Sequence, residues 1–242
     1  MEKIIRIYKW EGETPLQLIN RIKKDKPEYK DIKMTYAGRL DPLADGEMII
    51  LAGDEVHNKT EYTKLPKEYE TDIILGISTD TFDALGLVLE EGIIKNGFEE
   101  KIKKYLEKNI GNIVQKYPMY SSKTVDGVQL HNIARNGAEI DIPEHNVIMH
   151  SCDLLRIQTI SKENLHKEIF RKIDLVKGDF RQEIIKERWN DYFSQSNILE
   201  YPIIKLKMKV GSGFYVRSFA NDLGDFLKSK AFALKITRTK IG

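Results

Sequence analysis

The stretch Gly38-Arg39-Leu40-Asp41-Pro42-Leu43-Ala44-Asp45-Gly46 places a carboxylate in a short, stiff segment. Pro42 pushes Asp41 away from helical backbone and towards an extended one. Asp45-Gly46 predicts a turn ahead of the next strand. A carboxylate on such a platform suits a positioned nucleophile or base. The same Asp-Pro pattern also describes a turn aspartate that caps local N–H groups. Arg217 carries a planar, permanently charged fork that matches a carboxylate bidentately, or that can bind a phosphate or face solvent. Tyr69 can stack on a base or sit in a core, and its reference pKa of ~10 makes it a poor base unless perturbed. Five histidines (His57, His131, His145, His150, His166) and Cys152 follow no usual zinc spacing, so no metal site is expected.

The elements that must hold these groups alternate irregularly. Residues 3–9 read as a strand. Pro15 to Lys24 has helical spacing, with Thr14 as its N-cap. Glu47 to Ala52 and Tyr69 to Ile77 read as strands, Phe98 to Asn109 as a helix, and Val147 to Ile157 as one or two strands. Ile204, Leu206, Met208 and Val210 alternate with Lys205, Lys207 and Lys209, which predicts a strand with a buried face and a cationic one. Val216, Ala220, Leu223 and Leu227 place Arg217 in the first turn of a core-facing helix, and a last strand covers Ala233 to Ile241. Without a regular ~30-residue βαβ rhythm, the expected class is α+β, a mixed, mostly antiparallel sheet with flanking helices.

With 242 residues, 41% hydrophobic and 31% charged, the chain can build one large domain. Within it, residues 161–194 stand out: 15 of 34 are charged. This segment reads as a charged helical insertion, broken near Lys177-Gly178-Asp179 and packed on the rim of the domain. The longest apolar runs, such as Met48 to Ala52, fall far short of the ~18 residues of a membrane span. The N-terminus lacks a secretory signal, and one cysteine suits a reducing compartment, so a cytoplasmic location is expected. Net charge is only +2, but Ile203 to Gly242 holds nine Lys/Arg against two acids, leaving 30 basic and 35 acidic residues elsewhere. A basic C-terminal segment suits a nucleic-acid partner or simply a soluble surface.

The nine residues around Asp41 resemble the catalytic G-x-L-D-P-x-A-x-G motif of TruB-type pseudouridine synthases. Other segments follow in that family's order. Lys9-Trp10-Glu11-Gly12 resembles its K-P-x-G segment, with Trp10 where Pro is usual. Lys67-Glu68-Tyr69 and the stretch Leu75 to Gly86 resemble its K-x-Y strand and L-G-x-x-T-D-T-x-D-x-x-G turn. Tyr117 to Lys123 resembles P-x-x-S-A-x-K, Leu130 to Gly137 resembles L-Y-x-x-A-R-x-G, and Gly211 to Gly224 resembles the x-x-G-T-Y-I-R-x-x-x-x-D-L-G segment. The likeness covers roughly residues 3–160 and 203–242.

The resemblance implies the pseudouridine synthase fold and isomerisation of uridine in RNA, with uridine 55 in the tRNA T loop as target. It implies Asp41 as the nucleophile, attacking C6 of the base or acting at C1′ through a glycal. Arg217 would pair with Asp41, and Tyr69 would stack on a flipped base. Lys9, Tyr36, Gly38, Tyr215 and Ile236 would contact substrate. Tyr36 stands where many bacterial members have histidine, and Asp45 stands where threonine is common and would add negative charge near the site. No cofactor follows from an isomerisation, and no obligate protein partner is implied. The chain ends after its last strand, so the PUA-like RNA-binding module of many relatives is expected to be absent. That weighs against a guide-RNA-dependent relative. A tRNA-binding folding helper with lost catalysis is the rival reading.

Overall fold

The computed structural model describes residues 1–94, 96–135 and 140–242. Its strands are β1 (Ile4–Lys9), β2 (Met34–Ala37), β3 (Ala44–Ala52), β4 (Lys67–Leu75), β5 (Ile77–Thr79), β6 (Val88–Glu91), β7 (Gly111–Lys116), β8 (Thr124–Val125), β9 (Val128–Gln129), β10 (Glu144–Ser161), β11 (Glu200–Val210) and β12 (Ala231–Ile241). Its α-helices are α1 (Pro15–Asp25), α2 (Lys59–Lys64), α3 (Phe98–Lys108), α4 (Leu130–Arg135), α5 (Lys162–Leu175), α6 (Gln182–Gln195) and α7 (Val216–Leu227). The class is α+β, as the sequence pattern predicts.

Eight strands form the central sheet in the order β1-β3-β12-β4-β11-β10-β7, with β2 also on β3. Every pairing in it is antiparallel except one. β12 runs parallel to the start of β3, Ile236 opposite Ala44 and Arg238 opposite Gly46. β2 pairs with the other end of β3 along Ile49 to Ala52. Here β3 begins three residues earlier than the apolar run predicts. Asp45-Gly46 therefore lies inside the strand and is not a turn. Gly46, at φ +118°, lets β12 approach, because a Cβ there would sit 2.2 Å from the Arg238 carbonyl oxygen.

The 18-residue β10 is one strand, bent by irregularities near Met149 and Leu154, which is why its sequence reads as broken. Thr14 caps α1 as expected, accepting from the Gln17 backbone N–H while the Gln17 side chain accepts from the Thr14 N–H. The Leu130–Gly137 motif forms α4 as far as Arg135; Gly137 lies outside the described residues.

The sheet carries a core on each face. On one, Ile73, Leu75, Ile204, Leu206 and Met208 meet the apolar sides of α1, α3 and α7. On the other, Ile74, Ile203, Phe232 and Leu234 meet Leu165, Ile169 and Ile173 of α5 and Ile185, Trp189 and Phe193 of α6. The charged segment thus lies across a sheet face, not at a rim. Its apolar residues recur every fourth position, one stripe per helix, and its charges occupy the outer sides.

Trp189 is fully buried between that hairpin and Phe232. Trp189→Ala is predicted to destabilise the whole domain by about 3–5 kcal/mol. Urea unfolding followed by circular dichroism measures this, and the hairpin and sheet are expected to melt in one transition.

Candidate active site

Asp41 sits where the chain passes from β2 to β3. Gly38, at φ +84°, turns the backbone out of β2. Leu40 then anchors in the core beneath α7, and Leu43 anchors in the core beneath α5 and α6. Two leucines plugged into opposite cores leave Asp41 and Pro42 between them at the end of the sheet. The Ala44 N–H donates to the Asp41 carbonyl at 3.1 Å and closes the turn.

Three further contacts hold this loop by its carbonyls. Buried Arg238 donates from Nη1 to the Arg39 oxygen at 3.1 Å and from Nε to the Glu47 oxygen at 2.7 Å. The Gly12 N–H donates to the Pro42 oxygen at 2.8 Å. The Lys9 ammonium donates to the same oxygen at 3.3 Å, and to the Trp10 and Glu13 oxygens at 3.0 and 2.5 Å. Lys9, 0% exposed, is therefore a clamp on the loop and not a substrate contact. Burial pushes its pKa down to about 8. The reason is topological: β1 ends under the loop, so the Lys9 side chain is enclosed by the carbonyls around it.

Arg217, 3% exposed, reaches Asp41 from the first turn of α7. Its Nε donates to Asp41 Oδ2 at 2.7 Å. Its other nitrogens turn away. Nη1 donates to the Thr81 carbonyl at 2.5 Å and Nη2 to the Tyr120 carbonyl at 3.4 Å. A second carboxylate, Asp83, lies 3.7 Å from Nε and is buried. The contact with Asp41 is thus single, not the bidentate fork the residue types suggest. The fork is divided because two other chain segments compete for it. Among the described residues Asp41 Oδ1 accepts no hydrogen bond, and the Asp41 side chain keeps 39% of its surface exposed.

The electrostatics favour the charged form of Arg217. Burial opposes the Arg217 cation, yet Asp41 and Asp83 together hold its pKa above the ordinary arginine value. Burial pushes the Asp83 carboxyl upward, against the pull of Arg217 and its hydrogen bond from Thr81. Burial, followed by the charge of Asp41, raises the Tyr215 phenol.

These groups open on one cleft of about 600 Å³. Asp41, Tyr69 and Arg217, taken from residues far apart in sequence, all line it, as do Tyr36, Gly38, Tyr215 and Ile236. Tyr69 comes from the buried face of β4. Ile236 comes from β12, opposite Ala44 in the parallel pairing. Tyr36 stands at the mouth, its ring 5.0 Å from the Lys59 ammonium and 5.6 Å from the Arg39 guanidinium. Tyr215 is held by the buried Gln115 amide, which accepts from its N–H at 3.0 Å and donates to its carbonyl at 3.2 Å. The cleft also takes in Thr81, Asp83, Tyr120, Phe180, Arg181 and Arg238. For Thr81 and Asp83 the sequence did carry a signal, since both sit in the Thr-Asp-Thr-Phe-Asp turn. Phe180 and Arg181 carried none.

Two expected charges lie elsewhere. Asp45 points to the other side of β3, where its Oδ2 accepts from the Tyr8 hydroxyl at 2.9 Å, so it adds no charge to the cleft. Lys205, Lys207 and Lys209 share a face with Asp72, Glu70 and Glu68, their partners across β4. That face is opposite the one Tyr69 uses, and acids interleave its lysines. Among the described residues no group of three His, Cys, Asp or Glu side chains gathers as a metal site, and no helix is long and apolar enough to cross a membrane.

A half-exposed carboxylate on a cleft wall, with one oxygen on a fixed guanidinium and the other without a hydrogen bond among the described residues, can act as an oriented nucleophile. Comparison with known proteins places the chain among pseudouridylate synthases. A sequence profile described as "TruB family pseudouridylate synthase (N terminal domain)" matches residues 24–178. A tRNA pseudouridine synthase B of Fusobacterium nucleatum is 30% identical over 242 residues, covering 100% of this chain and 68% of that protein. Mouse pseudouridylate synthase TRUB1 is 28% identical, covering 99% of this chain and 62% of that protein. Among solved structures, the crystal structure of a Cbf5-Nop10-Gar1 complex matches in fold with a TM-score of 0.59 at 16% identity. It covers 99% of this chain and 48% of that one.

Removing the buried cation should cost more stability than removing the half-exposed anion. Arg217→Met is predicted to destabilise by about 3–5 kcal/mol, because it strands buried Asp83. Asp41→Asn is predicted to stay within about 1 kcal/mol of the wild type. Midpoints of urea denaturation at neutral pH compare the two.

Proposed function

The chain belongs to the TruB family of pseudouridylate synthases, and on that premise we propose that it converts uridine to pseudouridine in tRNA, at uridine 55 of the T loop. The observation that carries this reading is the 2.7 Å contact between Arg217 and Asp41 at a cleft lined by Tyr69 and Ile236. The reaction is an isomerisation. The N1–C1′ bond breaks, the base turns, and C5 bonds to C1′. The C5 proton leaves and N1 gains one, so atoms balance without a cofactor.

Asp41 is the nucleophile in this proposal. Arg217 fixes one carboxylate oxygen and leaves the other without a hydrogen bond among the described residues. A covalent carboxylate adduct divides one difficult step into two easier ones. The target base must leave its stack to reach that oxygen. Tyr69 and Ile236 offer it an aromatic and an aliphatic surface. Tyr36, flanked by Lys59 and Arg39, suits the strand the base leaves behind, with a ring for stacking and two cations for phosphates.

The test is incubation of the pure protein with unmodified tRNA transcript, followed by mapping of pseudouridine. Product at position 55 is expected from the wild type. Asp41→Ala and Asp41→Asn should form none while binding tRNA normally. Near wild-type turnover by either variant would end the proposal. No product from the wild type on any uridine-containing RNA would support the folding-helper reading instead.

A second prediction concerns salt. If Arg39, Lys59, Lys123 and Arg135 around the cleft each meet one phosphate, the logarithm of tRNA affinity should fall with the logarithm of salt at a slope of roughly −3 to −4. Filter binding between 50 and 300 mM KCl measures it. Lys207→Ala, on the far face, should leave the slope unchanged.

A further inference from the structure

The turn between α5 and α6 ends in Phe180 and Arg181, and both reach the cleft. Arg181 adopts φ +64° at the start of α6, a backbone conformation that favours glycine. Its side chain is held there through one guanidinium nitrogen. Nη1 donates to Asp80 Oδ2 at 2.9 Å and to the Tyr120 hydroxyl at 2.6 Å, and the guanidinium lies 4.3 Å from the Tyr120 ring centre.

Those two partners belong to the segments that hold Arg217. Asp80 closes the turn between β5 and β6: its Oδ1 accepts from the Leu87 N–H at 2.8 Å, and its own N–H donates to the Leu87 carbonyl at 3.1 Å. The next residue, Thr81, gives the carbonyl that receives Arg217 Nη1. Tyr120 gives the carbonyl that receives Nη2. The turn is packed too tightly to compensate by shifting, since a Cβ on Gly86 would lie 2.4 Å from Thr81 Oγ1 and 2.7 Å from Asp80 Oδ1. Arg181 is therefore a cross-tie between two loops that share no element, each of which aims one nitrogen of Arg217.

We propose that Arg181 is a positioning residue for the Asp41–Arg217 pair, and that this is the catalytic task of the charged α5–α6 hairpin. It acts on the orientation of Arg217 and makes no hydrogen bond to Asp41. The effect on turnover rests on the reading given under Proposed function; the effect on Arg217 does not.

The test uses the full chain with Arg181→Ala, Arg181→Lys and, as a control on the same helix, Lys186→Ala, which removes a surface pair with Asp174. Displacing a catalytic group by about 1 Å costs on the order of a hundredfold. Arg181→Ala should lower kcat by roughly ten- to a hundredfold with KM for tRNA within twofold of wild type. Arg181→Lys, which keeps a donor for Asp80, should recover part of the loss, and Lys186→Ala should match the wild type. Independently of activity, the Arg217 Nε–H signal in a 1H–15N spectrum should shift and exchange faster with solvent in Arg181→Ala. An unchanged kcat, a rise in KM alone, or an unaltered Arg217 signal in a folded variant overturns the proposal. Should the wild type form no pseudouridine, the functional reading fails while the Arg217 signal still decides the positioning role.

Discussion

A buried arginine must find acceptors for its donors, and that constraint organises this molecule. Arg217 has left water almost completely, so its charge is held by groups brought to it from the β2–β3 loop, the β5–β6 turn and the segment after β7. The pairing with Asp41 is one result of that demand. Because the other nitrogens are taken by backbone carbonyls, the guanidinium cannot swing to take both carboxylate oxygens. The division that limits the ion pair to one contact is the same feature that leaves one Asp41 oxygen without a hydrogen bond among the described residues.

The loop bearing Asp41 is fixed in the same manner, from several directions at once. Leu40 and Leu43 anchor it in two cores. Arg238, Lys9 and the Gly12 amide hold the carbonyls on either side of the Asp-Pro bond. The N-terminal segment is in turn tied to the hairpin, since Glu11 accepts from buried Lys172 of α5 and from Arg171. Gly12 lies so close to the end of α5 that a Cβ would stand 2.7 Å from the Leu175 carbonyl oxygen. Both halves of the Asp41–Arg217 pair thus lead back to the α5–α6 hairpin, through Glu11 on one side and Arg181 on the other. A rigid frame of this kind keeps a carboxylate oriented without spending binding energy on it during the reaction.

The distribution of charge separates two surfaces. Around the cleft mouth, Arg39, Lys59, Lys123 and Arg135 stand near the aromatic rings of Tyr36 and Tyr117 or on the cleft wall itself. Across the sheet, the lysines of β11 alternate with the acids of β4 and make a neutral, solvated face. The net basic charge of the C-terminal segment therefore overstates its use as a contact surface. The cations next to the site come mostly from other parts of the chain.

By itself the sequence determined the local events. Pro42 disfavours helix at Asp41, Thr14 and Pro15 start α1, and the alternation along β11 and the spacing along α7 assign strand and helix with Arg217 at the first turn. The resemblance of short contiguous motifs to those of a known family also implied Asp41, Tyr69 and Arg217 as a set, and all three line one cleft. What only tertiary structure decided is which face each group meets and what it competes with. Lys9 reads like any strand-end lysine until three carbonyls enclose it. Asp45-Gly46 reads like a turn until β12 comes alongside in parallel. The stripes on α5 and α6 were present at every fourth residue, but 15 charges in 34 positions hid them, and nothing in the sequence says that the turn between them would arrive at Tyr120. Register and facing are settled by cores on both sides of a sheet, a property of the whole chain that no short window of residues contains.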